Sequence, residues 1–541
     1  MQRAALLVIT VFIFINAFAQ TPERPKLVVG IVVDQMRWDY LYRYYDRYAD
    51  NGGFKRLLNQ GFSCENTLIP YAPTITACGH TGIFTGSVPS IHGIIGNGWW
   101  DSKNNVSVYC TQDDTVKTVG SNTTAGQMSP ANMLTTSICD ELRLATNFKS
   151  KVIGVALKDR GSILPAGHSA SAAYWYDSKT GDWITSTYYM KELPKWVKDF
   201  NSKKLVDKYY QEGWSTLYPI ETYEQSTEDN VPYENKPFGA GTNFPYNLKK
   251  FAGTNSYNYI SVTPHGNTFT LEMAKAALMA EKMGEDSVTD FLTISFSSPD
   301  YIGHSFGPNS VEAEDGFLRL DKSLGEFLDF LNEKIGEGQY LLFLSADHGA
   351  AHVPGFLKQH NIPAGNAEME ALYAGLNAVL KLKYGVDDLV PEISNYQVYI
   401  DHNLIAKSKL NEAEILQQVL DTCKRLPGVM DAFAPSLIEK ASLNKTIKDM
   451  LANGYNKTRG GDVQLVLQPQ WIEGFKNGGT THGVWNPYDA HIPLLWYGWN
   501  VKPGKLYRQV SMCDIAPTVA GLLHIQMPNG CVGHAIDEVT R

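Results

Sequence analysis

Short β-branched or aromatic runs, each cut off by polar or turn-forming residues, recur along the chain and predict buried strands over residues 26–33, 151–157, 290–296, 340–344 and 492–496. Between them the apolar positions change to helical spacing. The clearest helical stretches are 269–283 and 311–335, the second setting Phe317, Leu318, Leu320, Leu324, Phe327, Leu328 and Leu331 on one stripe. Alternation of this kind predicts an α/β fold, with a mostly parallel central sheet sandwiched by helices.

Two stretches depart from the pattern. From about 161 to 261 the chain is rich in Tyr, Trp, Asn, Gly and Pro with little period, as in AYWYDSKTGDWITSTYYM, and reads as an excursion from the core. A second excursion, about 353–479, carries helical patterns at 367–382 and 411–425 and the pattern of a hairpin. Both are expected as cap segments inserted into one catalytic domain spanning 20–541.

Residues 1–19, MQRAALLVITVFIFINAFA, combine Arg3, an apolar run from Ala4 to Ile15 and a small-x-small close at Ala17-Phe18-Ala19. This is the pattern of an export signal cleaved before Gln20, and its apolar run falls short of the roughly 20 residues a spanning helix needs. A periplasmic or secreted protein with no membrane span after cleavage is expected. The net charge of -9 and scattered acidic residues leave no basic stripe for a phosphate backbone, which excludes nucleic acid as a specific partner. Seven cysteines in an exported chain predict some disulfides with an odd one left over, and the lack of any CxxC pair excludes zinc-finger and thioredoxin patterns.

In open parallel sheets, ligands collect beyond the carboxyl ends of the strands. Here the first predicted strand ends in Asp34, the second in Lys158-Asp159-Arg160, the third runs into Asp300 and His304, and the fourth into Asp347-His348; His482 comes shortly before the last. Singly, each has a structural explanation as a cap or a hydrogen-bonded loop residue. Together, three aspartates and three histidines at one edge would raise one another's pKa unless cations were present. Mixed Asp/His ligation suits zinc and similar borderline ions, and six protein ligands suit two such ions better than one.

The segment PTITACGHTG, residues 73–82, predicts a loop entering a helix, where backbone N–H groups and the helix dipole favour an anion. A threonine there is ordinarily an N-cap. Beside a metal, its hydroxyl becomes a nucleophile, because coordination lowers the pKa of a bound oxygen.

The ordered set Asp34, Pro-Thr-x-Thr, Asp300-x-x-x-His304, Asp347-His348 and Thr-His482-Gly resembles the alkaline phosphatase superfamily, and most closely its PafA-type monoesterases, which use threonine. The resemblance implies an alkaline-phosphatase-like three-layer sandwich and a two-zinc phosphatase acting on small phosphate monoesters. It implies Thr76 as nucleophile, one Zn2+ on Asp300, His304 and His482, and a second on Asp34, Asp347, His348 and Thr76. It also implies that Asn97 contacts a nonbridging phosphate oxygen. Lys158 and Arg160, two apart in a predicted strand, are expected to point at one ligand while Asp159 points away. Two zincs balance three aspartates and an alkoxide, so the two cations are left to meet a monoester dianion. A diester monoanion has less need of them.

Related branches fit less well. Sulfatases need Cys or Ser followed by x-Pro-x-Arg, whereas Cys78 is followed by Gly-His-Thr-Gly. Cofactor-independent phosphoglycerate mutases use serine and prefer manganese, and the enterobacterial phosphatases use serine with a third, magnesium, site for which no motif is present. A phosphodiesterase of the same fold and a noncatalytic surface protein, suggested by the aromatic stretch 174–189, are the alternatives. His80, Thr74, Thr81 and Cys78 are expected to be structural.

Overall fold

The computed structural model describes residues 23–540 except 240, 255–256 and 476–477; the predicted export signal lies outside the described residues. A ten-stranded sheet organises the chain. Its strands are β1 (Leu27–Val33), β2 (Phe62–Cys64), β3 (Thr118–Val119), β4 (Val152–Ala156), β5 (Ala172–Asp177), β6 (Asp182–Ser186), β7 (Asp290–Phe296), β8 (Tyr340–Ser345), β9 (Leu494–Gly498) and β10 (Gly504–Leu506). They lie in the order β10-β2-β9-β8-β1-β7-β4-β5-β6-β3. The middle five, β8-β1-β7-β4-β5, are parallel. Every residue of β1, β7 and β8 is buried, as required of strands covered on both faces.

Five helices matter to the site: α1 (Thr76–Thr85), α2 (Asp159–Ala166), α3 (His265–Ala280), α4 (Ser298–Phe306) and α5 (Val311–Lys334). α1 and α2 cover one face of the sheet. They approach closely because the sheet presents glycine beneath them: a Cβ on Gly30 would lie 3.0 Å from the Phe84 ring, and one on Gly154 would lie 2.3 Å from the Ser162 carbonyl. α3 packs on β7 and β4, with α5 against it. The three-layer α/β sandwich expected from the sequence is therefore present.

The differences from expectation are local. The fifth predicted strand, 492–496, is shifted to β9, which runs antiparallel to β8, while His491–Ile492 pairs with Thr67–Leu68 in a separate small sheet. The aromatic stretch is not an excursion. It forms β5 and β6, an antiparallel hairpin in the central sheet, with Tyr174, Trp175, Trp183 and Ile184 at most 1% exposed. Aromatic residues buried on both faces erase the alternation that would mark a half-buried strand. Within 353–479 lie helices Met369–Tyr384 and Glu412–Cys423 and a four-stranded sheet, packed around a second apolar cluster that includes Val484, while Phe433, Ile447, Met450, Leu451 and Val466 join the main core.

The expected disulfides are absent. All seven cysteines are free and six are buried. Burial raises the Cys78 thiol well above its usual pKa, and its Sγ donates to the Ile94 carbonyl, so it packs as a small apolar residue.

Candidate active site

The parallel strands deliver their charged residues to one edge. Asp34 follows β1, Lys158 follows β4, Asp300 sits in the first turn of α4 just after β7, and Asp347 and His348 follow β8. Thr76 opens α1 and is 1% exposed. Ile75 takes the N-cap position, so Thr76 is the first helical residue, its hydroxyl released from capping. Asn97 Oδ1 accepts the Ala77 N–H (3.1 Å) at the helix start, which leaves its NH2 as a donor beside Thr76.

Two groups of ligand-type atoms converge there. In the first, Asp300 Oδ1 lies 3.1 Å from His304 Nε2 and 3.6 Å from His482 Nε2. In the second, His348 Nε2 lies 3.4 Å from Thr76 Oγ1, 3.4 Å from Asp347 Oδ2 and 3.6 Å from Asp34 Oδ1. Ligands about 2.0–2.1 Å from a tetrahedral cation stand roughly 3.3–3.4 Å from one another, so both groups fit that chemistry. Among the described residues Asp34 Oδ1 is buried without a hydrogen-bond partner, and Asp347 Oδ2 has only the His80 Nδ1 that it shares with the Thr76 carbonyl, a costly state for carboxylate oxygens unless something else satisfies them. The two groups adjoin, since Asp34, Asp300 and His348 also fall within reach of one another.

The histidines are oriented as ligands. Each places Nδ1 on a backbone carbonyl, His304 on Thr480 (2.8 Å), His482 on Thr74 (2.7 Å) and His348 on Gly349 (2.9 Å), leaving Nε2 to face the carboxylates. Burial pushes the pKa of His348 and His482 down, reinforced at His482 by His348 and His304, which favours the neutral, ligating form. The carboxylates are pulled apart electrostatically. Burial and the Asp347 charge hold Asp34 well above the usual range despite Lys158; burial opposes ionisation of Asp300 too, but His304 and Lys158 overcome it and hold its pKa low.

Lys158 and Arg160 do not share a strand face. β4 ends at Ala156, Lys158 is the N-cap of α2 and Arg160 lies in its first turn. Lys158 Nζ donates to Asp34 Oδ2 (2.7 Å) and Asp300 Oδ2 (2.6 Å) and is 4% exposed. Arg160 Nη1 donates to the Tyr109 hydroxyl (2.9 Å), which itself donates to Asp159 Oδ1 (2.7 Å). Asp159 therefore turns toward the Arg160 side instead of away. Tyr109 comes from a hairpin, Gly98–Asp101 with Val106–Tyr109, that carried no chemical motif.

His80 lies beside the second group without the free nitrogen of a ligand. Its Nε2 meets Ser295 Oγ (2.8 Å), and its Nδ1 faces the Thr76 carbonyl (2.9 Å) and Asp347 Oδ2 (3.2 Å). Thr74 Oγ1 donates to the Val484 carbonyl (2.9 Å). Gln35 was not anticipated: its Nε2 donates to Asp300 Oδ1 (2.7 Å). Its only sequence signal was its place next to Asp34.

An Asp/His-lined sheet edge with a hydroxyl at a helix entrance is the arrangement of the alkaline phosphatase superfamily. The profile of the type I phosphodiesterase / nucleotide pyrophosphatase family matches residues 28–489. The chain is 54% identical over 533 residues (97% of each chain) to a Myroides odoratus protein named calcium-transporting ATPase. It is 52% identical over 535 residues to alkaline phosphatase PhoV of Synechococcus elongatus (97% of this chain, 95% of that one), and 51% identical over 519 residues to alkaline phosphatase PafA of Elizabethkingia meningoseptica (95% and 94%). The crystal structure of wild-type PafA matches with a TM-score of 0.93 at 50% identity, covering 96% of this chain and 100% of that one. The chain belongs to the type I phosphodiesterase / nucleotide pyrophosphatase family within the alkaline phosphatase superfamily, and it is of the PafA type.

Proposed function

We propose that this protein is an exported, zinc-dependent phosphomonoesterase that hydrolyses small phosphate monoesters through a phosphothreonine on Thr76. Relatives named alkaline phosphatase, about half identical over nearly the whole chain, support the activity. The observation that carries the mechanism is the convergence of Thr76 Oγ1 and His348 Nε2 with the buried oxygens Asp34 Oδ1 and Asp347 Oδ2 at the start of α1.

Two zinc ions, one on Asp300, His304 and His482 and one on Asp34, Asp347, His348 and Thr76, would supply Lewis acidity for the Thr76 hydroxyl and for the leaving oxygen. Thr76 gives up its proton to solvent water and Oγ1 attacks phosphorus in line, forming the Oγ–P bond as the bond to the leaving oxygen breaks and the departing alkoxide takes a proton from water. The N–H groups at the start of α1 and the Asn97 NH2 are donors for the nonbridging oxygens, and Arg160 adds charge at the same place. The His304 side chain, 25% exposed beside the nearly buried His482 and Asp300, marks the side from which the alcohol departs. Water then cleaves the Oγ–P bond, releasing phosphate and restoring Thr76. A PafA variant altered at one threonine, one asparagine, one lysine and one arginine has been crystallised; Thr76, Asn97, Lys158 and Arg160 supply the same four residue types here.

The test is a paired assay on zinc-loaded and chelated wild type and on Thr76→Ala. Wild type should bind two zincs, lose activity on chelation and regain it with zinc, and show a phosphorylated Thr76 peptide after acid quench. Wild-type turnover by Thr76→Ala would sink the mechanism, and a preference for bis(p-nitrophenyl) phosphate over the monoester would favour the phosphodiesterase reading.

A further inference from the structure

Gln35 follows Asp34 directly and touches carboxylates of both ligand groups. Its backbone N–H donates to Asp347 Oδ1 (3.1 Å), and its side-chain Nε2 donates to Asp300 Oδ1 (2.7 Å). It is 4% exposed and holds φ at 65°, the left-handed region that non-glycine residues seldom occupy. Such a conformation persists only where surrounding contacts over-determine it. The neighbouring helix leaves room for the side chain: a Cβ added to Gly303 in α4 would stand 1.9 Å from Gln35 Oε1.

These bonds divide the labour of the carboxylate oxygens. Asp300 Oδ2 is engaged by Lys158, so Oδ1 is the oxygen facing His304 and His482, and the Gln35 amide fixes its direction. Asp347 Oδ1 accepts two N–H groups, from Gln35 and from His348 (3.0 Å), which leaves Oδ2 as the oxygen beside His348 Nε2. A carboxylate without such partners rotates and offers either oxygen.

We propose that Gln35 is a positioning residue for divalent-cation binding, its side chain orienting Asp300 and its backbone orienting Asp347. The inference rests on the two-zinc reading above. Outer hydrogen-bond partners of metal ligands typically govern 10–100-fold in affinity, and the side-chain bond to Asp300 is the part that substitution can remove.

The experiment measures zinc retained by wild type, Gln35→Met, Gln35→Gly, Gly303→Ala and the Gln35→Gly/Gly303→Ala double variant. Each zinc-loaded protein is dialysed against graded chelator, with bound zinc read by atomic emission and folding by near-UV circular dichroism. Gln35→Met should release one of its two zincs at a chelator concentration about 10–100-fold lower than wild type, with kcat recovering at saturating zinc. Gly303→Ala should show a similar shift, because its methyl displaces the Gln35 amide, yet add nothing in the Gln35→Gly background, where no amide is left to displace. Retention by Gln35→Met equal to wild type overturns the proposal, as does a Gly303→Ala shift of undiminished size in the Gln35→Gly background. Wild type holding well below two zincs overturns the two-zinc reading itself and the proposal with it, a result distinguishable because it appears before any substitution.

Discussion

Replacing Arg160 with alanine separates a monoesterase from a diesterase more cleanly than replacing Lys158, because Arg160 touches no ligand-type carboxylate. Its Nη1 bond goes to Tyr109, and its buried Nε has no hydrogen-bond partner among the described residues, a donor left available. Tyr109 keeps its bond to Asp159 in the variant, so the folded state loses about one hydrogen bond from a charged donor, roughly 1.5–3 kcal/mol. The transition state loses more. A preorganised donor to developing oxyanion charge is worth about 2.7–4 kcal/mol, or about 10²–10³ in rate. Arg160→Ala should therefore lower kcat/KM for p-nitrophenyl phosphate by about 10²–10³, and for the bis-ester, which carries one negative charge less, by no more than about tenfold, or ~1.4 kcal/mol. Arg160→Lys should fall between, keeping the charge and losing the planar fork. Zinc content is measured in the same samples. Equal losses on both esters at full zinc content would refute the assignment of Arg160 to the phosphoryl group.

Lys158→Met should behave differently, lowering turnover of both esters alike and, in chelated protein, reducing stability by about 3–5 kcal/mol in urea titrations, because it strips the buried Asp34 and Asp300 of their shared cation. Glu312 is buried and accepts a bond from Tyr246, and burial pushes its pKa up to about 8. A carboxyl held protonated by the fold costs stability progressively as pH rises from the ordinary glutamate value through 8, so Glu312→Gln should leave melting unchanged at pH 4 and raise Tm above wild type at pH 9. His402 has the opposite sign. Its hydrogen bond to Asp462 (2.9 Å) raises its pKa to about 9, and the stabilisation is complete below the ordinary histidine value and lost as pH rises through 9. The Tm difference between wild type and His402→Gln should shrink between pH 6 and pH 10.

The convergence of Asp34, Asp300, Asp347 and His348 was legible because a parallel sheet gathers the residues after its strands at one edge, and each of them follows an apolar run too short and too β-branched to mistake. His482 was read from its place shortly before the last predicted strand, not after one, because that strand, β9, runs antiparallel to β8. The hairpin β5–β6 was not legible. Tyr174, Trp175, Tyr176 and Trp183 are all buried, so periodicity carried no sign of which residues face which way. The placement of Lys158 and Arg160 turned on where β4 stops: ending at Ala156, four residues short of Arg160, it converts a shared strand face into the first turn of a helix, about 100° per residue. Gln35 and Tyr109 act through partners distant in sequence, and no local pattern encodes that. The cysteines misled because compartment alone suggested pairing, whereas a core of this size holds without crosslinks.

The carbonyl of Thr74 fixes His482, its hydroxyl is fastened to Val484, and Thr76 lies two residues further along, where the extended segment enters α1. The group that would begin the attack and a ligand on the side where the alcohol would leave are thus spaced by a pair of peptide units, a ruler of fixed covalent length. Loops around the pocket can be rebuilt to admit a different alcohol while the stroke from entering to departing oxygen keeps its span.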